Sequence, residues 1–311
     1  MFKYLMLLAF LASCSVNISL GTSPSREIDA GYLKTTLQTL VGDRSFVDED
    51  GNKSLINSRL TLIGRLTSVR FIKSELEKMG YPVTVYAYFT GEHLGTNIVA
   101  TKLGTSREKE ILISAHLDAT NIDPKTGKES PEFIRNAGAD DNGTGVAAVL
   151  AIAKQLRDVP VTRTIKFVLF DQEELGYVGS EAYLESVDTS KVYGNINLDM
   201  LGYNEEHRNI FNVADCRNAG NDDNSTDLKL AFLKGVGTAP ERANLCIDET
   251  DSNSFWDKDI PSVTVSEDLL HLNPHMHKDD EIKYIDFDYF TKVVSAVKDG
   301  VLGLVTTPVS L

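Results

Sequence analysis

The sequence predicts an α/β fold for residues 27–311, a single domain in which a mainly parallel central sheet carries helices on both faces. Two observations support this prediction. Short runs rich in β-branched and aromatic residues alternate with runs of helical spacing, and no internal repeat interrupts the alternation. With 311 residues, 42% of them hydrophobic, the chain can bury one large core or two modest ones.

The segment before this domain is expected to direct export. Residues 1–13 combine one lysine with an apolar run that is typical of a signal peptide and too short to span a bilayer. The run ends in Leu-Ala-Ser-Cys, which resembles a bacterial lipobox, so Cys14 is expected to carry lipid. The alternative is an ordinary signal peptide cleaved near Ser13 or Gly21. Residues 14–26 are rich in Ser, Gly, Thr and Pro and are interpreted as a tether. We therefore expect a lipoprotein of the outer membrane or periplasm, or a secreted protein.

The composition argues against one class of partner. The formal net charge is −14 and the pI is about 4.9, whereas nucleic-acid binding needs clustered Lys and Arg. The surplus of carboxylates favours solubility, and carboxylates are also ligands for hard or borderline cations.

The N-terminal part begins with two predicted helices, 28–41 and 55–79, whose apolar residues recur at helical spacing. Gly80 ends the second helix in the manner of a C-terminal cap. Strands are predicted next at 81–89 and 96–102. The apolar stripes of the helices are interpreted as core positions.

A third strand is predicted at 110–115, where a continuous apolar run is typical of a strand covered on both faces. His116 and Asp118 follow it. Alternation places these two side chains on the same side, where a carboxylate commonly holds a metal-bound imidazole. A lone histidine at a strand end is more often structural, so this pattern by itself leaves both interpretations open.

A glycine-rich turn, 138–145, leads into a predicted helix at 146–156. It is not a phosphate loop, because no Gly-Lys-Ser/Thr is present and aspartates repel phosphate. Asp141 within this turn could simply cap the helix. Two consecutive aspartates and an asparagine, however, exceed what capping requires.

The strand predicted at 164–170 ends in the stretch that most strongly indicates a site. Asp171, Glu173 and Glu174 follow it closely, and Gly176 then allows the backbone to turn. An isolated Glu-Glu pair is usually a solvated turn. The carboxyl ends of strands in open α/β sheets, however, are where ligands bind.

The remaining elements repeat this arrangement. A strand at 192–198 is followed by Asp199, and a strand at 262–266 precedes a loop with three histidines. The three histidines are His271, His275 and His277. The other predictions here are a short helix after Gly176, a polar loop at 215–227, a helix from about 228 and a C-terminal helix at 287–304.

Taken in chain order, these motifs resemble the family of secreted co-catalytic di-zinc aminopeptidases, which also contains related carboxypeptidases and glutaminyl cyclases. The resemblance covers roughly residues 55–305. It depends on five segments in the expected order on the expected elements, since one such motif alone is weak evidence. The segments are 115–118, 138–145, 170–180, 197–200 and 273–281.

The resemblance implies a site for two Zn²⁺ ions, and imidazole and carboxylate groups are suitable zinc ligands. His116 and Asp199 would bind one ion, and Glu174 and His277 the other. Asp141 would bridge the two ions.

The resemblance also implies the catalytic groups. Glu173 would be the general base, because neighbouring side chains point in different directions and Glu174 is already a ligand. Asp118 would not bind a metal ion itself but would orient the imidazole ring of His116. The peptide bond that follows Asp141 is expected to be cis.

Three positions depart from the family pattern near the substrate pocket. Ser252 stands where the family often has histidine, and Met276 stands where an aromatic residue often precedes the metal-binding histidine. Lys278 stands where Thr or Ser usually follows it. These changes leave the implied ligands intact and bear on the substrate pocket. His275 is interpreted either as an exposed loop residue or as an extra oxyanion donor.

The implied function is that of an aminopeptidase, in which a metal-activated water, with Glu173 as general base, hydrolyses N-terminal residues from peptides with a free α-amino group. A glutaminyl cyclase on the same scaffold is the alternative. Cyclases of this family line their pocket with several tryptophans, whereas this chain has only Trp256. A metal-binding surface lipoprotein without activity is the third hypothesis, and Glu173 argues against it because a ligand-only site needs no base. We expect a monomer that contacts the membrane only through lipid on Cys14.

Cys216 and Cys246 are predicted to form a disulfide. If Cys14 is the anchor, they are the two remaining cysteines, and an exported chain folds in an oxidising environment. Two buried free thiols are the alternative.

Overall fold

The computed structural model describes residues 27–91, 93–123, 128–129, 137–217, 225–236, 241–243 and 245–306. The predicted signal peptide, the tether and Cys14 lie outside these ranges, as does most of the predicted polar loop. None of the described helices is long and apolar enough to cross a lipid bilayer.

The strands and helices alternate along the described chain. The strands are β1 (Phe46–Val47), β2 (Lys53–Ser54), β3 (Val83–Thr90), β4 (His93–Lys102), β5 (Ser106–His116), β6 (Ile122–Asp123), β7 (Lys128–Glu129), β8 (Arg163–Phe170), β9 (Val192–Leu198), β10 (Ile210–Ala214), β11 (Glu241–Ala243) and β12 (Ser262–Glu267). The α-helices are α1 (Ala30–Leu40), α2 (Leu62–Lys78), α3 (Gly145–Leu156), α4 (Val178–Ser186), α5 (Thr226–Val236), α6 (Ser252–Trp256) and α7 (Phe287–Thr306).

Eight of the described strands form one sheet in the order β11-β10-β12-β9-β5-β8-β4-β3. The central strands β12, β9, β5 and β8 are parallel to one another, and β11 is parallel to β10. The pairs β10–β12, β8–β4 and β4–β3 are antiparallel. The prediction of a mainly parallel α/β sheet is therefore confirmed.

The central strands are covered on both faces, as predicted. Ile111 and Ile113 of β5 belong to a large core that also contains side chains of α1, α2, α3, α5 and α7. Leu112, which lies between them, belongs to a second core that contains Tyr183 of α4 and Phe255 of α6. This alternation is what a strand of period two produces between two helical layers.

The start of the second helix is a correction, because α2 begins at Leu62 and not at residue 55. Thr61 is the N-cap, and its hydroxyl accepts a hydrogen bond from the backbone N–H of Gly64 at 3.1 Å. The sequence before it is not helical, and it places Arg59 in the interior with 1% of its surface exposed.

The predicted disulfide between Cys216 and Cys246 is present. It joins the chain just after β10 to the segment before α6, and the backbone N–H of Ile247 donates to the carbonyl of Cys216 at 2.9 Å. Strands β10 and β11 and helix α6 are elements that the sequence did not predict.

Candidate metal centre

The sheet topology brings the predicted site residues to one edge. Strand β5 ends at His116, β8 ends just before the Glu173–Glu174 turn, and β9 ends just before Asp199. These three strands are parallel neighbours, so their carboxyl ends lie side by side. Asp141 comes from the irregular turn that precedes α3, and His277 comes from the loop that follows β12.

Asp141 lies at the centre of the cluster. Its Oδ1 is 3.2 Å from Nε2 of His116, and its Oδ2 is 2.9 Å from Nε2 of His277. Nε2 of His116 is also 3.5 Å from Oδ1 of Asp199, and Nε2 of His277 is 3.2 Å from Oε2 of Glu174. The structure thus brings all five implied ligands together. The peptide bond between Asp141 and the next residue is cis, as expected.

The electrostatics of the cluster follow from its burial and its opposite charges. Burial acts to raise the pKa of Asp141, but the imidazoles of His116 and His277 outweigh it and hold this pKa well below the ordinary value. Burial acts to lower the pKa of His277, but Asp141 and Glu174 raise it to about 11. Burial and the charge of Asp141 raise the pKa of Glu174 to about 7. Opposite charges therefore attract within this cluster, and its carboxylates are packed around two imidazoles.

Glu173 lies beside the cluster and is 7% exposed. Burial is the main reason that its pKa lies well above the ordinary value. Its position depends on Asp118, whose two carboxylate oxygens accept the backbone N–H groups of Glu173 (3.1 Å) and Glu174 (3.3 Å). Oδ1 of Asp118 is also 3.3 Å from Nδ1 of His116. One carboxylate therefore connects the end of β5 to the turn after β8.

Two further side chains tie ligand-bearing loops together. Oδ2 of Asp280 accepts the backbone N–H groups of Asp140 (2.8 Å) and Asp141 (2.9 Å), so the loop of His277 is bonded to the turn of Asp141. The amide of Asn142 donates to the carbonyl of Leu198 at 2.8 Å, next to Asp199. These hydrogen bonds therefore hold the segments of His277 and Asp199 against the turn of Asp141.

Behind the turn lies a buried acidic network. The side-chain amide of Asn273 donates to Oδ2 of Asp140 (3.1 Å) and Oδ1 of Asp280 (3.3 Å), and its backbone N–H donates to Glu267 (2.7 Å). Burial, followed by the charge of Asp140, raises the pKa of Glu267 well above the ordinary value. A hydrogen bond between the side chains of Glu267 and Asp140 contributes to this rise.

Arg59 supports the same region with a buried guanidinium. It donates to the carbonyls of Leu117 (3.2 Å) and Ala137 (3.2 Å) and to that of Gly138. Leu117 lies between His116 and Asp118, and Gly138 begins the turn of Asp141. Arg59 thus joins two ligand-bearing segments from a position far earlier in the chain.

The cluster opens into a cleft of about 380 Å³. Besides the metal-site residues, its lining includes Ile122, Tyr177, Met200, Met276 and Glu249. Other residues that the sequence singled out lie elsewhere. Trp256 is buried and donates to Ser225 and to the carbonyl of Ser262, Ser252 is buried against β12, and His275 stacks on Tyr284 and contacts Asp279 at 2.7 Å. The geometry therefore gives His275 a structural place in its loop.

Sequence reasoning missed several residues that build the site: Arg59, Asp140, Asp251, Glu267, Asn273 and Asp280. Asp140 and Asp280 lie within the segments 138–145 and 273–281, so their acidic character was a usable signal. Asp251 is fully buried, and burial raises its pKa to about 7 with His116 and Asp199 close enough to act on it. Arg59 and Glu267 carry no local pattern that distinguishes them from surface residues.

The residues present fit a metal site. Ligand atoms of His116, Asp141 and Glu174 lie within 4.8 Å of one another, and the group is largely buried. Nitrogen and carboxylate-oxygen donors without thiolate suit zinc. Among the described residues that line the cleft, no lysine or arginine balances the carboxylates, so a cation is the group that this donor set favours.

The chain is similar to proteins of known family and fold. The model of peptidase family M28 matches residues 97–300. Leucine aminopeptidase 1 of Trichophyton rubrum is 29% identical over 228 residues, which cover 68% of this chain and 58% of that relative. The chain thus spans less than two thirds of that relative's length.

Two solved structures share the fold. A zinc aminopeptidase from Bacillus subtilis has a TM-score of 0.73 at 16% identity, covering 90% of this chain and 97% of that one. A glutaminyl cyclase from Porphyromonas gingivalis has a TM-score of 0.68 at 20% identity, covering 89% and 98%. At these identities the likeness shows the fold alone.

Proposed function

The chain belongs to peptidase family M28, and we propose on that basis that it is a zinc-dependent aminopeptidase, which releases N-terminal residues from peptides. One observation carries the proposal: two histidines and three carboxylates converge at the carboxyl edge of the sheet, with a sixth polar group, Glu173, buried beside them. The names of the relative from Trichophyton rubrum and the structural neighbour from Bacillus subtilis support the same activity.

The proposed site holds two Zn²⁺ ions. Each oxygen of Asp141 faces a different histidine, which supports a bridging role. His116 and Asp199 would hold one ion, and His277 and Glu174 the other. When bound, the zinc ions supply Lewis acidity, which lowers the pKa of water and polarises a carbonyl group.

Glu173 is proposed to move the proton. Its carboxylate accepts a proton from the attacking water and passes it to the leaving amine, so each turnover returns it to the same state. A pKa above the ordinary glutamate value suits this exchange, because a more basic carboxylate accepts a proton more readily. Asp118 holds the backbone of Glu173 and contacts the ring of His116, so we propose that it positions both.

The substrate is proposed to be a peptide with a free α-amino group. The described lining of the cleft is acidic, which favours binding of an ammonium group. Acetylating that amine removes the charge and should abolish turnover. Equal rates on free and acetylated peptides would instead indicate an endopeptidase or a carboxypeptidase.

A glutaminyl cyclase is the second candidate, because such enzymes are among the structural neighbours. The pocket does not favour it, since Trp256 is the only tryptophan of the chain and points into the interior. A non-catalytic metal-binding protein is disfavoured by the buried base, Glu173. The deciding experiment is a panel of aminoacyl chromogenic substrates with and without chelator, beside a glutaminyl substrate for cyclisation. Cyclisation without hydrolysis would overturn the proposal.

We also propose that the protein is exported as a monomer and anchored by lipid on Cys14. The disulfide supports an oxidising compartment. Mass spectrometry of the mature N-terminus tests the anchor, and an unmodified N-terminal residue other than Cys14 would contradict it.

A further inference from the structure

Glu249 is a carboxylate of the cleft that the proposed chemistry does not use. The other carboxylates of the lining are Asp141, Glu173, Glu174 and Asp199, and together they carry the charge that two divalent cations would balance. Glu249 remains in addition to them. Within the described parts of the chain, no basic side chain forms an ion pair with it. Its negative charge is therefore available to a ligand in the cleft.

The backbone holds Glu249 in place from both sides. The segment before it is fixed by the disulfide of Cys246 and by hydrogen bonds between Asn212 and Leu245 at 2.9 and 3.1 Å. The hydroxyl of Thr250, after it, lies 3.1 Å from that of Thr264 on β12. Glu249 itself has a φ of 62°, a conformation that is uncommon for residues other than glycine. Its backbone is therefore anchored at the rim of the cleft.

The cleft that Glu249 shares with the metal cluster also has an apolar lining. Ile122, Met200 and Met276 line it, together with Tyr177. Burial raises the pKa of the Tyr177 phenol, and the negative charges of Glu173 and Glu249 raise it further. Tyr177 and Glu249 line the same cleft. Apolar walls that end at a carboxylate suit a side chain with an aliphatic stem and a cationic tip.

We propose that Glu249 makes the cleft accept a basic N-terminal residue, lysine in particular. The aliphatic stem of the lysine lies along the apolar wall, and its ammonium group pairs with the carboxylate of Glu249. This inference rests on the proposed aminopeptidase function. A residue whose carbonyl is attacked at the metal cluster must place its own side chain in the adjoining cleft.

The test compares two substrates that share the stem and differ in the charge, lysine p-nitroanilide and norleucine p-nitroanilide, at a pH well below the lysine pKa of about 10.4. Glu249→Gln should lower the lysine-to-norleucine ratio of kcat/KM by about 3- to 5-fold, the upper end of the effect of losing one exposed ion pair. Glu249→Lys should lower the ratio further through repulsion. Raising the salt concentration should lower the wild-type ratio and leave that of Glu249→Gln nearly constant.

Asp248→Asn is the matched control. Asp248 is the neighbouring acid, and it lines an adjacent leucine-rich cavity rather than the metal cleft. Removing its charge changes the net charge of the protein by the same amount, so the lysine-to-norleucine ratio should stay within about twofold of wild type. A ratio that falls equally in both variants would mean that general electrostatics, and not Glu249, selects the lysine.

Calorimetry with free L-lysine and L-norleucine on the zinc-loaded protein provides a readout that does not need turnover. Glu249→Gln should reduce the ratio of the two affinities by a similar factor. An unchanged ratio overturns the inference. An equal loss for both ligands also overturns it, because Glu249 would then bind the α-ammonium group that they share. If neither anilide is hydrolysed, the proposed function fails, and the calorimetric ratio still decides the role of Glu249.

Discussion

Changing each of the adjacent glutamates Glu173 and Glu174 to glutamine should have different effects: the first should lower kcat, and the second should lower zinc affinity. Glu173→Gln keeps the size of the side chain and removes proton acceptance. General base catalysis contributes typically about 10²- to 10⁴-fold. Glu173 is 7% exposed, and the other described carboxylates of the cleft are implied ligands or, like Glu249, lie at its rim. We therefore expect kcat to fall by about 10³- to 10⁴-fold, near 4–5.5 kcal/mol at 1.36 kcal/mol per decade.

The two variants separate in metal content. KM and zinc content of Glu173→Gln should stay near wild type, because the loss is in the transition state. Glu174→Gln removes an anionic group that lies 3.2 Å from Nε2 of His277 and should weaken zinc binding by about 100-fold or more. Both variants are compared with wild type by metal analysis after dialysis, by steady-state kinetics and by thermal unfolding. Loss of zinc from Glu173→Gln with retention in Glu174→Gln would reverse the assignment.

Three further predictions concern the framework. Arg59→Met removes the guanidinium hydrogen bonds to the carbonyls of Leu117, Ala137 and Gly138, the last of which keeps the backbone N–H of Gly143 as a donor. It should lower the free energy of unfolding by roughly 3 kcal/mol in urea. Arg59→Lys should lie between it and wild type, and wild-type stability of Arg59→Met would contradict the role of this side chain. Replacing Cys216 and Cys246 by serine should cost about 3–4 kcal/mol for a closed loop of this separation, and an unchanged urea midpoint would count against it. Because the pKa of Glu267 is raised in the folded protein, wild type should lose stability as pH rises above the ordinary glutamate pKa, about 4.3, whereas Glu267→Gln has no carboxyl group to ionise. Glu267→Gln should therefore gain stability relative to wild type as pH rises through that range, and parallel pH dependences would exclude this.

The sequence predicted the parts of the fold whose signal is local. The apolar run of β5 could be located because buried parallel strands are typically continuously apolar. Strand β10 was missed because it is only five residues long and lies between polar segments, and its place in the sheet depends on pairing with β12. The early start assigned to α2 was wrong because apolar spacing does not reveal the cap at Thr61.

The same distinction applies to the site. The five implied ligands could be found because each follows a strand or turn with its own signal, and parallel strands bring their carboxyl ends to one edge. The residues that support these ligands could not be found from the sequence. Arg59 acts on carbonyls 58 to 79 positions away, and Asp280 acts on backbone groups about 140 positions away. Such partners are set by tertiary packing, which leaves no periodic trace in the chain.

The supporting contacts also explain why the ligands can remain close despite their charge. Carboxylates that approach one another within a buried site repel, and each is stable there only if its oxygens are hydrogen-bonded or paired. Asp118 and Asp280 satisfy their own oxygens with backbone N–H groups of ligand-bearing turns. The groups that compensate these buried acids are therefore the same groups that fix Glu173 and Asp141 in position. A change at Asp118 or Asp280 should accordingly affect metal affinity and stability together, whereas a change at Glu249, at the rim, should affect substrate choice alone.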